Sequence, residues 1–474
     1  MRKPLILFFF LLLCNQLKAQ QYGLFNTKTL FDGFENPAQK TFVLDSSRKY
    51  ASNFFLPYLG INATTKGGDD VIRNLINTGN FSAKGVSADS KDLNRVYQNS
   101  NVYLFNFKIF NSYKFQKELG FSWQLRTDAN LRYTNGLLII FDQNEWSKIQ
   151  NQSNDALNNA GYSQSYHQFS VTYRENYNKR LAFGAKFSLL SGITYNDLKV
   201  TNSTLDFTPD GGASFNSGEI NMTITGRYRS NFLKAKDQSK SILMPNFKNP
   251  GMAVSFGTSY TSKTGFTLIA NIKDLGFIRW ANKSYVADLN NEPLDIPTGM
   301  KEKEVADKIT DLVVNNYYNK SFISPTNAKA DFLVSKTFSF YTPSLIVSKN
   351  LFYNGGDAAL VNKFSYSGFS ISAIPAYNFN NLFLFGMQGM YQTPNFEFFM
   401  GSDNLLKTAR TAYAAIQNTS SSSTGYNGAS FYMGLGIKFG YTVEHPQNSS
   451  YMPGLDDQET SFFRRIFSVF SRKR

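Results

Sequence analysis

From Leu119 to Tyr133 the chain alternates. Leu119, Phe121, Trp123, Leu125, Ala129, Leu131 and Tyr133 share one parity, with Thr127 among them; Gly120, Ser122, Gln124, Arg126, Asp128, Asn130 and Arg132 share the other. A period of two belongs to a strand whose faces meet two different surroundings. Strands of soluble domains run to about five or six residues, and this run is far longer. The pattern recurs. Leu181, Phe183, Ala185, Phe187 and Leu189 oppose Gly184, Lys186 and Ser188; Phe431, Met433, Leu435, Ile437 and Phe439 oppose Gly434, Gly436, Lys438 and Gly440.

Such segments predict strands near 49–63, 100–112, 119–133, 164–177, 181–200, 217–230, 251–261, 265–280, 331–340, 344–353, 362–377, 381–391, 394–402 and 429–442. A strand with lipid outside and water inside needs about 9–11 tilted residues, an apolar outer band and aromatic rims. The expected fold class is therefore all-β: a single closed antiparallel transmembrane β-barrel of about 14 strands, with a few short helices in loops. Within 362–377 the alternation slips phase near Gly368, which reads as a bulge. Connections at 178–180, 262–265 and 392–394 suit hairpins. An even count returns both termini to one side, yet this set of strands puts the long segments 231–250 and 281–330 on the side of the short turns. Making 202–210 a further strand moves them across and then requires another strand to restore evenness.

Helical spacing appears at 301–318, with Val305, Ile309, Leu312 and Val313 in phase; this helix is expected on the barrel mouth or in the lumen, with partner docking as the alternative. Residues 69–79 read as a short helix opened by an aspartate. In the tail Phe462, Phe463, Ile466, Phe467 and Phe470 fall on one helical face, with Arg464 and Arg465 beside them and Arg472, Lys473 and Arg474 following. A basic amphipathic segment of this kind suits an inner-leaflet surface or a partner protein.

Composition sharpens the picture. Aromatic residues make up 16 % of the 474, with 45 Phe and 27 Tyr against 3 Trp. After residue 20 no run of about 18 apolar residues could form a spanning helix. Residues 1–20 have the basic start, apolar middle and polar end of a secretory signal. The expected organisation is a signal peptide over 1–20, a barrel over 21–445 with 281–330 as a partly helical insertion, and a basic tail over 446–474, located in the bacterial cell outer membrane. Cys14 is the only cysteine and follows Leu13, where a lipoprotein signal wants a small residue. Without the signal the chain has no cysteine, so its fold must hold without disulfides. Removing Arg2, Lys3 and Lys18 leaves 46 basic residues against 34 acidic, a net +12. Export excludes nucleic acid; the expected partners are outer-membrane lipid and a periplasmic or surface protein.

Catalytic chemistry is sparse. The two histidines, His167 and His445, have no His or Cys at metal-ligand spacing, and no phosphate loop, nucleophile elbow or zinc-protease motif occurs. Neither metal nor cofactor is expected, nor an enzyme; His167 is the residue through which a lipid hydrolase would act. Arg126, Asp128 and Arg132 lie on one strand face, and Arg174, Lys186, Arg227 and Lys438 occupy matching faces of other strands. All seven are expected to line the lumen. They either attract anions into a pore or, the favoured reading, pair with acids such as Asp128 and Glu219 to fill the barrel centre.

Three stretches carry a family likeness. "FENPAQK" at 34–40 resembles the Asn-Pro-Ala element of the outer-membrane fatty-acid transporter superfamily. "NPGMAVSFGTSYTSKTGFTLIANIKDLGFIRW" at 249–280 is similar to the central hairpin of an uncharacterised Bacteroidota outer-membrane barrel family, and "FEFFMGSDNLL" at 396–406 to a turn of related barrels, some accessory to type IX secretion. The resemblance implies one barrel of about fourteen strands and leaves the function open. No hydrophobic N-terminal hatch is recognisable in the sequence. The expected function is a barrel that binds or passes a hydrophobic solute sideways through its wall. The alternatives are a non-transporting barrel that anchors or caps a surface or secretion complex and, more distantly, an outer-membrane lipid hydrolase.

Overall fold

The structure, a computed structural model, describes residues 24–442 except 26, 43–47, 69–70, 73–74, 76–78, 80, 88–92, 112–115, 150–152, 211–217, 234–243, 380 and 418–425, together with 461–463. Its strands are β1 (Arg48–Ser52), β2 (Tyr58–Lys66), β3 (Asn94–Asn111), β4 (Lys117–Tyr133), β5 (Ser153–Asn154), β6 (Ala160–Asn176), β7 (Leu181–Pro209), β8 (Gly218–Ser230), β9 (Pro250–Thr261) and β10 (Phe266–Trp280). They continue as β11 (Tyr285–Pro297), β12 (Tyr317–Asn319), β13 (Phe322–Pro325), β14 (Lys329–Lys336), β15 (Tyr341–Asn350), β16 (Gly356–Tyr366), β17 (Phe369–Asn378), β18 (Leu382–Gln392), β19 (Phe396–Ser402) and β20 (Tyr426–Thr442).

Alternation of the kind read above closes these strands into a 14-strand antiparallel barrel. β1 and β2 share the first stave; β3, β4, β6, β7, β9, β10 and β14 to β20 follow, and β20 pairs back onto β1 and β2. Along β15, Ser344, Ile346, Ser348 and Asn350 are buried inward while Leu345 and Val347 stand exposed outside. Exposed rings of Phe338, Phe340, Phe364, Tyr366 and Phe369 crowd the short-turn end of the wall. All long connections gather at the other end. There the upper half of β7 leaves the wall, pairs with β8, and β8 pairs with β11. The helix Glu302–Asn316 buries Val305 and Leu312 against this extension, in one apolar core with Trp146, Leu205, Ile220 and Leu289.

The strand total matches the sequence reading, but its composition does not. Segment 217–230 is a strand of the extension, not a stave of the wall. Segment 362–377 is two strands: the phase slip at Gly368 is a hairpin turn, with φ of 44° at Ser367 and 87° at Gly368. Positive φ at both central residues is what a tight two-residue hairpin demands, and it explains the glycine. The two differences cancel in number and correct the parity: 231–250 and 281–330 now lie with the long loops. Residues 202–210 continue β7 instead of forming their own strand. The helix expected at 69–79 falls largely outside the described residues, as do 1–23.

The first stave is interrupted. Between β1 and β2, residues 53–57 pair with neither neighbour, leaving 104–106 of β3 and 434–436 of β20 without first-stave partners. Phe54 and Phe55 adopt left-handed backbone, φ 49° and 61°, and project outward with Leu56. Left-handed geometry at consecutive bulky residues is strained, so something must hold it. The buried Asn53 side chain bridges the gap: its amide donates to the carbonyls of Leu56 (2.8 Å) and Leu104 (3.3 Å), and its oxygen accepts the Asn106 N–H (2.8 Å). Asn53→Ala is expected to lower stability by about 1–3 kcal/mol, the cost of leaving such groups unpaired, as a drop in the urea midpoint in lipid vesicles.

Candidate functional site

The lumen is filled by the chain's own start. Leu24 and residues 27–42 run inside the wall, and from Leu30 to Phe42 every residue but Lys40 is buried. A single turn of helix, Asp32–Glu35, sits at the centre. The absence of a recognisable hatch in the sequence is thus corrected: the plug is present but is polar and aromatic, with no apolar run to betray it.

Three contacts hold the plug. In the first, Glu35 Oε1 meets Arg126 Nη2 (2.7 Å) and Asn101 Nδ2 (2.6 Å), and Glu35 also takes bonds from Tyr103 and Lys273. Arg126 pairs in turn with Asp274, whose Oδ1 accepts from Lys186 Nζ and Gln168 Nε2, both at 2.9 Å. Asp274 and Lys273 reach the lumen together because the β9–β10 register shifts between Ile272 and Leu275, with Asp274 at φ 53°; a bulge re-aims side chains in this way. In the second, Asn36, Pro37 and Ala38 lie on two inward glycines. A Cβ at Gly184 would stand 2.1 Å from the Pro37 carbonyl carbon, and one at Gly257 2.4 Å from Asn36 Oδ1. Arg174 Nε donates to the Ala38 carbonyl (2.9 Å) and Lys186 to that of Phe34 (3.1 Å), while Thr41 bonds Glu118, itself paired to Lys108 (2.9 Å). In the third, the Phe31 ring sits among Tyr58, Tyr103 and Phe399 with centroids 5.0–5.8 Å away, and the Leu30 N–H donates to Glu397 (2.6 Å).

Charge sets the two acids of the plug helix apart. Burial pushes the Asp32 carboxyl up to about 7, against backbone N–H donors at Lys28 and Thr27. Burial acts on Glu35 too, yet Arg126, Lys273 and Lys186 hold its carboxyl well below the usual carboxylate range. Little room remains: a cavity of about 40 Å³ lies beside Leu24, Glu35, Asn101, Arg126, Lys273 and Lys329, enough for roughly three waters at about 10–15 Å³ each.

Of the lumen residues expected from sequence, Arg126, Arg174 and Lys186 all touch the plug or its ion cluster. Asp128 accepts from Asn99 (2.8 Å) and Asn327 (2.9 Å) above it. Lys438 packs over the rings of Phe42 and Phe110. Arg132 is only half-buried, near the top of β4. Arg227 is a correction: it lies on β8 in the extension, exposed and paired with Asp288 at 3.1 Å, because β8 is not part of the wall. Glu219 is there too; Asp128 is in the lumen as expected but meets amides, and the acids that pair with the inward cations are Glu35, Asp274 and Glu118, which sequence reading missed. The signal for Asp274 stood in the quoted "DLGF", whose alternation breaks at that residue. His167 is fully buried and accepts from the Trp123 indole at 3.3 Å; His445 lies outside the described residues. No grouping of three metal-ligating residues occurs among the described residues.

The tail makes one defined contact. Glu175, at the short-turn end of β6, accepts the N–H groups of Phe462 (3.1 Å) and Phe463 (2.7 Å) and the Ser461 hydroxyl, and both phenylalanine rings pack on Tyr173. Arg464, Arg465, Ile466, Phe467 and Phe470 lie outside the described residues.

Removing one partner of a buried ion pair costs about 3–5 kcal/mol. Glu35→Ala is therefore expected to loosen the plug, seen as faster cleavage between residues 24 and 47 by added protease with the barrel intact.

Comparisons with solved barrels give loose overlaps. The Ralstonia pickettii toluene transporter TbuX shares 8 % identity over 86 % of this chain and 93 % of that one, with a TM-score of 0.42. The Pseudomonas putida toluene transporter TodX shares 9 % over 89 % and 93 % (0.40), and a Pseudomonas aeruginosa FadL homologue 11 % over 89 % and 95 % (0.40). No curated protein matches the sequence significantly. Residues 45–403, the wall from β1 into the turn after β19, match a family of unknown function (DUF5723), and the chain belongs to that family.

Proposed function

We propose that this protein is an outer-membrane barrel that passes a hydrophobic solute, with residues 24–42 as a removable plug and the wall interruption at 53–57 as a side exit. The observation that carries the reading is the pairing of the two features. The axial path is closed by a segment held through side chains, and the wall behind its aromatic contact is open in backbone pairing. An apolar solute gains nothing from a wet axial pore, whereas a lateral route delivers it into lipid. Exposed Phe54, Phe55 and Leu56 outside and Tyr58, Tyr103, Phe399 and Tyr432 inside give that route apolar surface on both sides.

A second reading, a barrel that anchors a complex, draws on the grip of Glu175 on Ser461–Phe463 at the periplasmic rim. Deleting 458–474 and comparing co-purified proteins tests it; loss of no partner removes it.

Two outcomes test the transport reading. Leu345→Arg, on the outer face of β15, is expected to cost about 2–4 kcal/mol of stability in lipid vesicles, the penalty for a charge near the bilayer midplane; no cost would place the wall in water. Glu35→Ala, which removes the charge that anchors the plug, is expected to raise uptake of a hydrophobic fluorescent dye by cells carrying it above that of the unaltered protein. Equal uptake by the two would refute a moving plug.

A further inference from the structure

The inward faces of β3 and β4 carry polar atoms with nothing to bind. Gln124 and Asn106 are fully buried, and neither oxygen nor nitrogen of either side-chain amide has a hydrogen-bond partner; the Ser122 hydroxyl, the Asn101 side-chain oxygen and Arg126 Nε are in the same condition. Ladder register makes these groups neighbours: Asn101 faces Arg126, Tyr103 faces Gln124, and Asn106 faces Ser122. A wall needing only to be packed would fill such positions with apolar side chains, because an unpaired buried amide is costly.

The row has a direction. Its upper end, Asn101 and Arg126, lines the small cavity. Its lower end, Asn106, sits at the wall interruption, where its own N–H is held by Asn53. Phe34 of the plug covers the row from the lumen side, its ring against Gly120 and 6.2 Å from that of Tyr103. The cations beside the row are already matched: Arg126, Lys186 and Lys273 all face Glu35 or Asp274. Arg126 Nε apart, whose guanidinium charge is already balanced, what stays unmatched is neutral, with both donors and acceptors.

We propose that the solute is an amphiphile with an uncharged hydrogen-bonding head, a hydroxyl or amide, and that this head travels along the β3–β4 row while the apolar part leaves through the interruption. This rests on the passage reading and adds the chemical class of what passes. A carboxylate head would meet Glu35 and Asp274 and find its cations occupied.

The test compares uptake of radiolabelled dodecanol, dodecane and dodecanoate by cells carrying the full-length protein. Asn106→Leu with Gln124→Met should lower the dodecanol-to-dodecane uptake ratio about tenfold, the scale of one to two hydrogen bonds, and should raise the urea midpoint, since orphan polar groups are removed. Ser122→Ala, too small a change to disturb folding, should shift the ratio the same way and serves if the double variant does not assemble. An unshifted ratio in the assembled variants overturns the inference and leaves the passage reading standing, as does dodecanoate entering faster than dodecanol through the unaltered protein. Failure of the unaltered protein to admit any of the three overturns both.

Discussion

The carboxylate of Glu35 is the point on which the interior turns. It arrives on a segment that belongs to no strand, and it meets Arg126 of β4 and Lys273 of β10, with Lys186 of β7 joined through Asp274. Each partner alone would be a charge buried at heavy cost. Together they neutralise one another, so the plug and the wall are each other's solvent. The carboxylate also fixes where the rest of the segment goes. With Glu35 in place, Pro37 falls on Gly184 and Phe31 falls among the rings.

The wall was legible because one physical rule, alternation between two surroundings, governs all its strands. Where that rule fails locally, reading failed with it. A two-residue turn at Gly368 and a bulge both break the phase, and only backbone angles separate them. The extension strand β8 alternates as well as any stave, because a two-faced sheet above a barrel obeys the same period; nothing in 217–230 marks it as lying outside the wall. The site was half visible for a different reason. Arg126, Arg174 and Lys186 announce themselves as charges on an inward parity, but the acids that meet Arg126, Glu35 and Asp274, are 91 and 148 residues away from it. One of these sits off-parity at a bulge and the other in no strand at all.

The lumen is not uniformly wet. Charged groups gather on β4, β6, β7 and β10; aromatic rings on β2, β3, β19 and β20; aliphatic side chains such as Leu333, Ile346, Val361 and Ile374 on β14 to β17. The plug has one kind of residue for each of the first two sectors, and Phe25 packs against the third. Specificity of docking thus comes from three unlike surfaces arranged around one axis, which no rotation of the segment could satisfy twice.

β7 spans 29 residues, roughly 95 Å of chain at about 3.3 Å each, and serves two sheets without a break. Its lower part carries Gly184 and Lys186 against the plug; its upper part, beyond Asn196, belongs to the cap built with β8 and β11. The ladders along it slip only at Ser165/Tyr166 opposite Thr194 and at Val200/Asn202. Those two places act as elbows in an otherwise stiff rod. The cap and the residues that seat the plug are therefore joined by one continuous covalent strand, so a displacement at one end is mechanically linked to the other.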